Sequence, residues 1–217
     1  AKMSGSNRLY AAIDNYFNDG EVCTLNVGEN ERLTILSRVP SAGPVVCHIS
    51  LDADSGLAFV SAYGDGTVAV HRIVDGIAEQ YCAKFLHEGS SANVARQECS
   101  HAHSSIVSPA GDRLFVADLG SDKVWVHSLE ELAAVAHGCD SVAVSGGSGP
   151  RHMVFDTNGR YLYLFCELTS EIHTFELRDN SDGMIHRGVT GTLPSDYTEA
   201  PAGAAIRMHP SGLALYV

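Results

Sequence analysis

The sequence predicts an all-β chain built from repeated four-stranded antiparallel sheets. Three observations carry that prediction. Similar segments recur at a drifting period of roughly 50 residues. Each repeat divides into short apolar runs separated by Gly, Asp and Pro turns. Only one stretch, residues 130–137, shows a helical pattern, and it reads as part of a loop.

The repeats can be read off directly. SGLAFVSAYGDGTVAVHRI starts at Ser55, GDRLFVADLGSDKVWVHSL at Gly111, NGRYLYLFCELTSEIHTFEL at Asn158 and SGLALYV at Ser211. A fifth copy, NRLYAAIDNYFNDGEVCTLNV, starts at Asn7. With Asn7, Gly56, Gly111, Gly159 and Gly212 as markers, the spacings are 49, 55, 48 and 53. A strict solenoid would hold its period more tightly, so the pattern fits the blades of a β-propeller.

Each blade is expected to contain four strands. The first precedes the marker, as in CHISLDADSG, HSSIVSPAG, RHMVFDTNG and AIRMHPSG. The second is a continuous apolar run, Leu57–Val60, Leu114–Ala117 or Tyr161–Phe165. Such a run implies a strand with a sheet packed on both faces. After a turn such as Gly64-Asp65-Gly66 or Gly120-Ser121-Asp122 comes an alternating strand, Val68/Val70, Val124/Val126 or Ile172/Thr174. Alternation suggests a more exposed position. A weaker outer strand follows, as at Leu33–Leu36 or Val142–Val144.

The chain starts inside one repeat and stops at Val217 inside another, so residues 1–217 read as one domain of about four blades, cut at both ends. Closure as a four-bladed ring would make Leu213–Val217 duplicate Leu9–Ile13. A piece of a larger ring is the expected arrangement, with two blade faces left uncovered.

Composition limits the function. Fourteen Lys and Arg against 26 Asp and Glu give a net charge of −12, which disfavours nucleic acid and anionic membranes as partners. No run of about 18 apolar residues is present, so no membrane span is expected. The opening AKMSGSNRLY lacks the apolar region of a secretory leader. Six cysteines, none spaced C-x-x-C, argue against a zinc ribbon and for a reducing, cytoplasmic setting.

Chemistry should collect where equivalent positions meet. Counting back eight residues from the markers gives His48, His103 and Arg151, expected at the channel end of successive inner strands. Counting forward eight from Gly159 gives Glu167, at the same blade edge and in need of a partner such as Arg151. His101 lies two residues before His103, so on a strand the two share a face. That spacing also suits a metal, but no third ligand is evident and none is expected. Asp118, in VADLG, reads as a substrate contact or as a turn acceptor. His152 is expected to pack between blades.

SHAHS at Ser100, FVADLG at Phe115, GSGPRH at Gly147 and CEL at Cys166 together resemble the lactonase family of seven-bladed propellers. That family includes propeller-type 6-phosphogluconolactonases and 3-carboxy-cis,cis-muconate lactonizing enzymes. The resemblance implies a proposed active-site His at His103, an Arg at Arg151 and a Glu at Glu167. It also implies a second Arg, in a region after Val217. Ser100 and Cys166 depart from the usual Pro and Asn. Hydrolysis of an anionic sugar-acid lactone, 6-phosphogluconolactone in type, is the expected activity, with no cofactor. Muconate cycloisomerisation and a binding propeller without catalysis are the alternatives. His48, His101 and Asp118 are expected to contact the small anionic substrate. A histidine base implies an acid limb in kcat/KM near pH 6–7.

Overall fold

The computed structural model describes residues 1–2, 5–15, 18–130, 139–178 and 183–217. The helical pattern expected at residues 130–137 falls almost entirely outside them, at 131–138. Every sheet is antiparallel and made of strands adjacent in sequence. The first sheet holds β1 (Arg8–Asn15), β2 (Asn18–Val27) and β3 (Leu33–Pro44). Three complete four-stranded sheets follow. The second holds β4 (Val46–Asp52), β5 (Leu57–Ala62), β6 (Thr67–Val74) and β7 (Ile77–Leu86). The third holds β8 (Ala102–Val107), β9 (Arg113–Asp118), β10 (Lys123–Ser128) and β11 (Asp140–Ala143). The fourth holds β12 (Pro150–Phe155), β13 (Tyr161–Cys166), β14 (Glu171–Leu177) and β15 (Met184–Gly191). A two-stranded sheet, β16 (Arg207–Met208) and β17 (Leu215–Tyr216), ends the chain and does not join the first, so the last strand closes no ring.

The continuous apolar runs have a simple cause. Alternate residues of a second strand enter opposite inter-blade cores. Val60 packs with Tyr10, Val22 and Ala42 on one side, whereas its neighbour Phe59 packs with Leu114 and Val116 on the other. Phe115 and Ala117 then pack with Leu162, Leu164 and Phe175, and Phe165 meets Ile206, the residue just before β16. The third strands are less exposed than their alternation suggests: Thr67–His71 are all buried, because a neighbouring blade covers both faces.

The inner strands β4, β8 and β12 share an irregularity that determines what reaches the hub. Val46 pairs with Ala62 and His48 with Ser61, so Cys47 is an extra residue. His103 is likewise extra between Ala102 and Ser104, and Arg151 between Pro150 and His152. A bulge of this kind re-aims the unpaired side chain.

The placement of His48 is therefore corrected by one residue. Gly56 precedes the second strand directly, and its carbonyl accepts from Ile73 N, as Asp112 accepts from Leu129 and Arg160 from Leu177. Gly56 thus occupies the place of Asp112 and Arg160, not that of Gly111 and Gly159. Counting eight residues back from it stops one residue short, and the true counterpart of His103 and Arg151 is Cys47.

Candidate active site at the propeller hub

The bulges deliver His103 and Arg151 to one end of the hub, and the residue after β13 delivers Glu167. Glu167 N donates to Gly149 O at 2.7 Å, which pins the end of β13 to the start of β12. The Glu167 carboxylate then takes Arg151 Nε at 2.9 Å on Oε2. His103 Nε2 lies 3.7 Å from the same oxygen. The imidazole, guanidinium and carboxylate expected to converge are brought together.

A fourth group was missed. Arg96 Nη2 donates to Glu167 Oε1 at 2.6 Å, so one carboxylate bridges two guanidinium groups, one on each oxygen. Arg96 lies in the connection between β7 and β8, seven residues before His103, where no repeat marker reaches. The resemblance puts a second arginine beyond Val217; within this chain Arg96 already supplies one. Tyr63 completes the group. Its hydroxyl lies 3.5 Å from Arg96 Nη2, and its ring meets His103 edge-on at 5.7 Å between centroids.

His101 is not on the strand, which starts at Ala102, so the strand alternation expected to put it on one face with His103 does not apply. It stacks on the Tyr63 ring at 4.2 Å and its Nδ1 bonds the Tyr63 carbonyl at 2.6 Å. It supports the ring that His103 leans against. The donors that do gather are Glu98, Cys99 and His101, whose ligand atoms lie within 4.8 Å of one another.

Asp118 is a structural clasp and not a substrate contact. It is fully buried, and its oxygens accept from Ser100 Oγ and Ser121 Oγ at 2.5 Å, His101 N at 2.8 Å, Trp125 Nε1 at 2.9 Å, Gly120 N at 3.0 Å and Ser121 N at 3.2 Å. No lone pair is left for a ligand. Burial alone would raise its pKa; the hydrogen bonds from Ser100, Ser121 and Trp125 outweigh burial and pull it down. The clasp holds the segment that carries His101 and His103. Gly120 is required there, since a Cβ on it would stand 1.7 Å from Cys99 O.

His152 does not simply fill an inter-blade space. Its ring meets both His103, at 5.7 Å, and His48, at 5.4 Å, edge-on. Cys166 faces away from the hub, into the core with Phe115 and Leu164, so its departure from the family pattern alters packing.

Electrostatics set the protonation states. Burial, with Arg151 second, holds the His103 imidazole down at about 4. It is neutral at pH 7, and an acid limb at pH 6–7 is not what this environment gives. Burial would raise Glu167, but the Arg96 hydrogen bond, reinforced by Arg151, keeps it an anion. The hub thus offers a neutral imidazole acceptor beside a carboxylate whose charge is balanced by two guanidinium groups with free N–H groups to spare.

Comparison with known proteins agrees with this architecture. A family model described as lactonase, 7-bladed beta-propeller, matches residues 1–217. The chain is similar to the 6-phosphogluconolactonase of Bacillus subtilis, 28% identical over 214 residues, covering 98% of this chain and 60% of that protein. It is similar in structure to the Pseudomonas aeruginosa periplasmic gluconolactonase, with a TM-score of 0.81 and 27% identity over 91% of this chain and 56% of the other. A Lactobacillus plantarum protein gives a TM-score of 0.86 at 29% identity, with 99% and 61% covered. The chain spans between 48% and 60% of the length of the curated relatives it matches. With its whole length matched and its sheets ordered as successive blades, this chain belongs to the lactonase family of seven-bladed β-propellers.

Proposed function

We propose that the hub hydrolyses the lactone of an anionic sugar acid, a 6-phosphogluconolactone-type substrate. The observation that carries this reading is the Glu167 bridge between Arg96 and Arg151 in front of His103. Lactone opening needs an activated water, a counter-charge for the developing oxyanion and a grip on the substrate. Neutral His103 accepts the proton of the attacking water at Nε2 and, as the oxyanion collapses and the acyl C–O bond of the ring breaks, returns it to the departing ring oxygen, leaving the open-chain acid. Guanidinium N–H groups of Arg151 and Arg96 not used by Glu167 meet the oxyanion as charge builds. Glu167 holds both guanidiniums in place and steadies the imidazolium that forms. The names of the Bacillus subtilis relative and the Pseudomonas aeruginosa structure support a lactone substrate. The free state of all six thiols supports work in the reducing cytoplasm.

The test uses the full-length protein with 6-phosphogluconolactone and 3-carboxy-cis,cis-muconate side by side. Hydrolysis of the first, no cyclisation of the second and a loss of about 10²-fold or more in kcat for His103→Gln support the reading. Wild-type rates in His103→Gln would remove the imidazole from the mechanism.

A further inference from the structure

The connection between β7 and β8 carries a cluster that the proposed hydrolysis does not use. Glu98, Cys99 and His101 bring one metal-ligating atom each to within 4.8 Å of the others. The cluster lies between the second and third sheets, both complete, so it draws on neither terminus of the chain. Its buried member sets its character. His101 is 4% exposed, and its Nδ1 donates to the Tyr63 carbonyl at 2.6 Å. A backbone carbonyl on one ring nitrogen fixes the tautomer and leaves the lone pair on the other, the state in which histidine ligates metals. Here the other nitrogen is Nε2. It lies 3.4 Å from Glu98 Oε1 and 3.9 Å from Cys99 Sγ. The first distance exceeds the about 2.7–2.9 Å of a charge-assisted hydrogen bond, and at the second a thiol is a weak donor. Three electron-pair donors thus converge.

Their spacing fits a tetrahedral ion. Zinc bonds of about 2.0–2.2 Å to nitrogen and oxygen and about 2.3 Å to sulfur put N and O about 3.4 Å apart and S and N about 3.5 Å apart. The nitrogen and oxygen already stand at that separation, and Cys99 Sγ has only about 0.4 Å to close toward the ring. The loop is also held in place. His101 N and Ser100 Oγ donate to Asp118 at 2.8 and 2.5 Å, and the buried Gln97 donates to Leu119 O at 2.8 Å. Residues on both sides of Glu98 and Cys99 are therefore fixed before any ion arrives.

We propose that Glu98, Cys99 and His101 Nε2 form a zinc site beside the hub, with the fourth position open to water. A thiolate, an imidazole and a carboxylate in a four-coordinate set select zinc over magnesium or calcium. Binding replaces the thiol proton: the Cys99 S–H bond breaks, an S–Zn bond forms and one proton passes to solvent. The ion ties down the segment from which Arg96 and His103 enter the hub. The proposal needs nothing from the lactone-hydrolase reading.

Cobalt, as a spectroscopic stand-in for zinc, tests it on the full-length protein, reduced and stripped of metal. One equivalent of Co2+ should give a thiolate-to-cobalt charge-transfer band together with the intense visible bands of a four-coordinate ion, and Zn2+ should erase both. Cys99→Ala should abolish the charge-transfer band, whereas Cys82→Ala, at an exposed thiol, should keep it. Glu98→Gln should raise the Zn2+ midpoint about tenfold or more. Its side chain is exposed, so this arm stays readable even where His101 variants fail to fold. In histidine-ring 15N spectra, zinc should shift His101 Nε2 while Nδ1 stays protonated. The proposal is overturned if saturating Co2+ gives no thiolate band, if the band survives in Cys99→Ala, or if Glu98→Gln leaves the Zn2+ midpoint unchanged.

Discussion

Replacing Arg151 with Gln probes the electrostatics that the hub imposes on its imidazole. His103 is held at about 4 against an ordinary 6.5, a preference for the neutral ring worth about 3 kcal/mol. Burial is the larger cause and the Arg151 guanidinium the second. Removing the guanidinium should recover the smaller share and raise His103 by about one pH unit. Glu167→Gln should act in the opposite direction. At 3.7 Å an unscreened carboxylate contributes roughly 1 to 4 kcal/mol, depending on the local dielectric. Both oxygens of Glu167 already face guanidinium groups, so the lower end applies and His103 should fall by somewhat less than about one pH unit. Following the His103 ring by NMR through a pH titration of wild type and both variants measures all three values. A wild-type ring titrating near 6.5, or a downward move in Arg151→Gln, refutes this account. The same environment places the acid limb of kcat/KM well below pH 6.

Asp118→Asn should cost on the order of 3 kcal/mol, because an amide turns a donor toward groups that themselves donate; urea unfolding measures it, and a loss below about 1 kcal/mol would contradict the clasp. Gly120→Ala should displace the Cys99–His103 segment or prevent folding, since the obstruction at 1.7 Å is backbone; hydrogen exchange in that segment reads this directly, and wild-type protection would count against it. Acid should destabilise the fold. His48, His103, His127 and His152 all have folded values depressed to about 3 or 4. The unfolded chain therefore binds more protons below about pH 6.5, and stability present above that pH is lost on acidification. Each ring approaches about 1.4 kcal/mol lost per pH unit within the window. Equal urea midpoints at about pH 7 and pH 5 would rule this out.

The blade pattern was legible because a strand between two sheets must be apolar on both faces, and Leu114–Ala117 or Tyr161–Phe165 can satisfy nothing else. His103, Arg151 and Glu167 were legible because one repeat places each at a fixed distance from its turn glycine. His48 was misplaced because the Asp52–Leu57 turn puts its left-handed glycine, at φ 66°, one position later than Gly111 at φ 74°. Pattern counting cannot see where within a turn the positive φ falls. Arg96 and Tyr63 were missed for another reason: they lie in connections between strands, and connections do not repeat. Asp118 was ambiguous because Ser100, His101 and Trp125 surround it only after folding.

The extra residue at Cys47, His103 and Arg151 stands outside the strand pairing and outside the cores on either side. Its identity is thus set free from the demands of folding. A lineage can exchange a thiol, an imidazole or a guanidinium at these places while the surrounding scaffold stays unchanged. Three interchangeable fittings on one rigid frame give a direct route by which related rings diversify what they act upon.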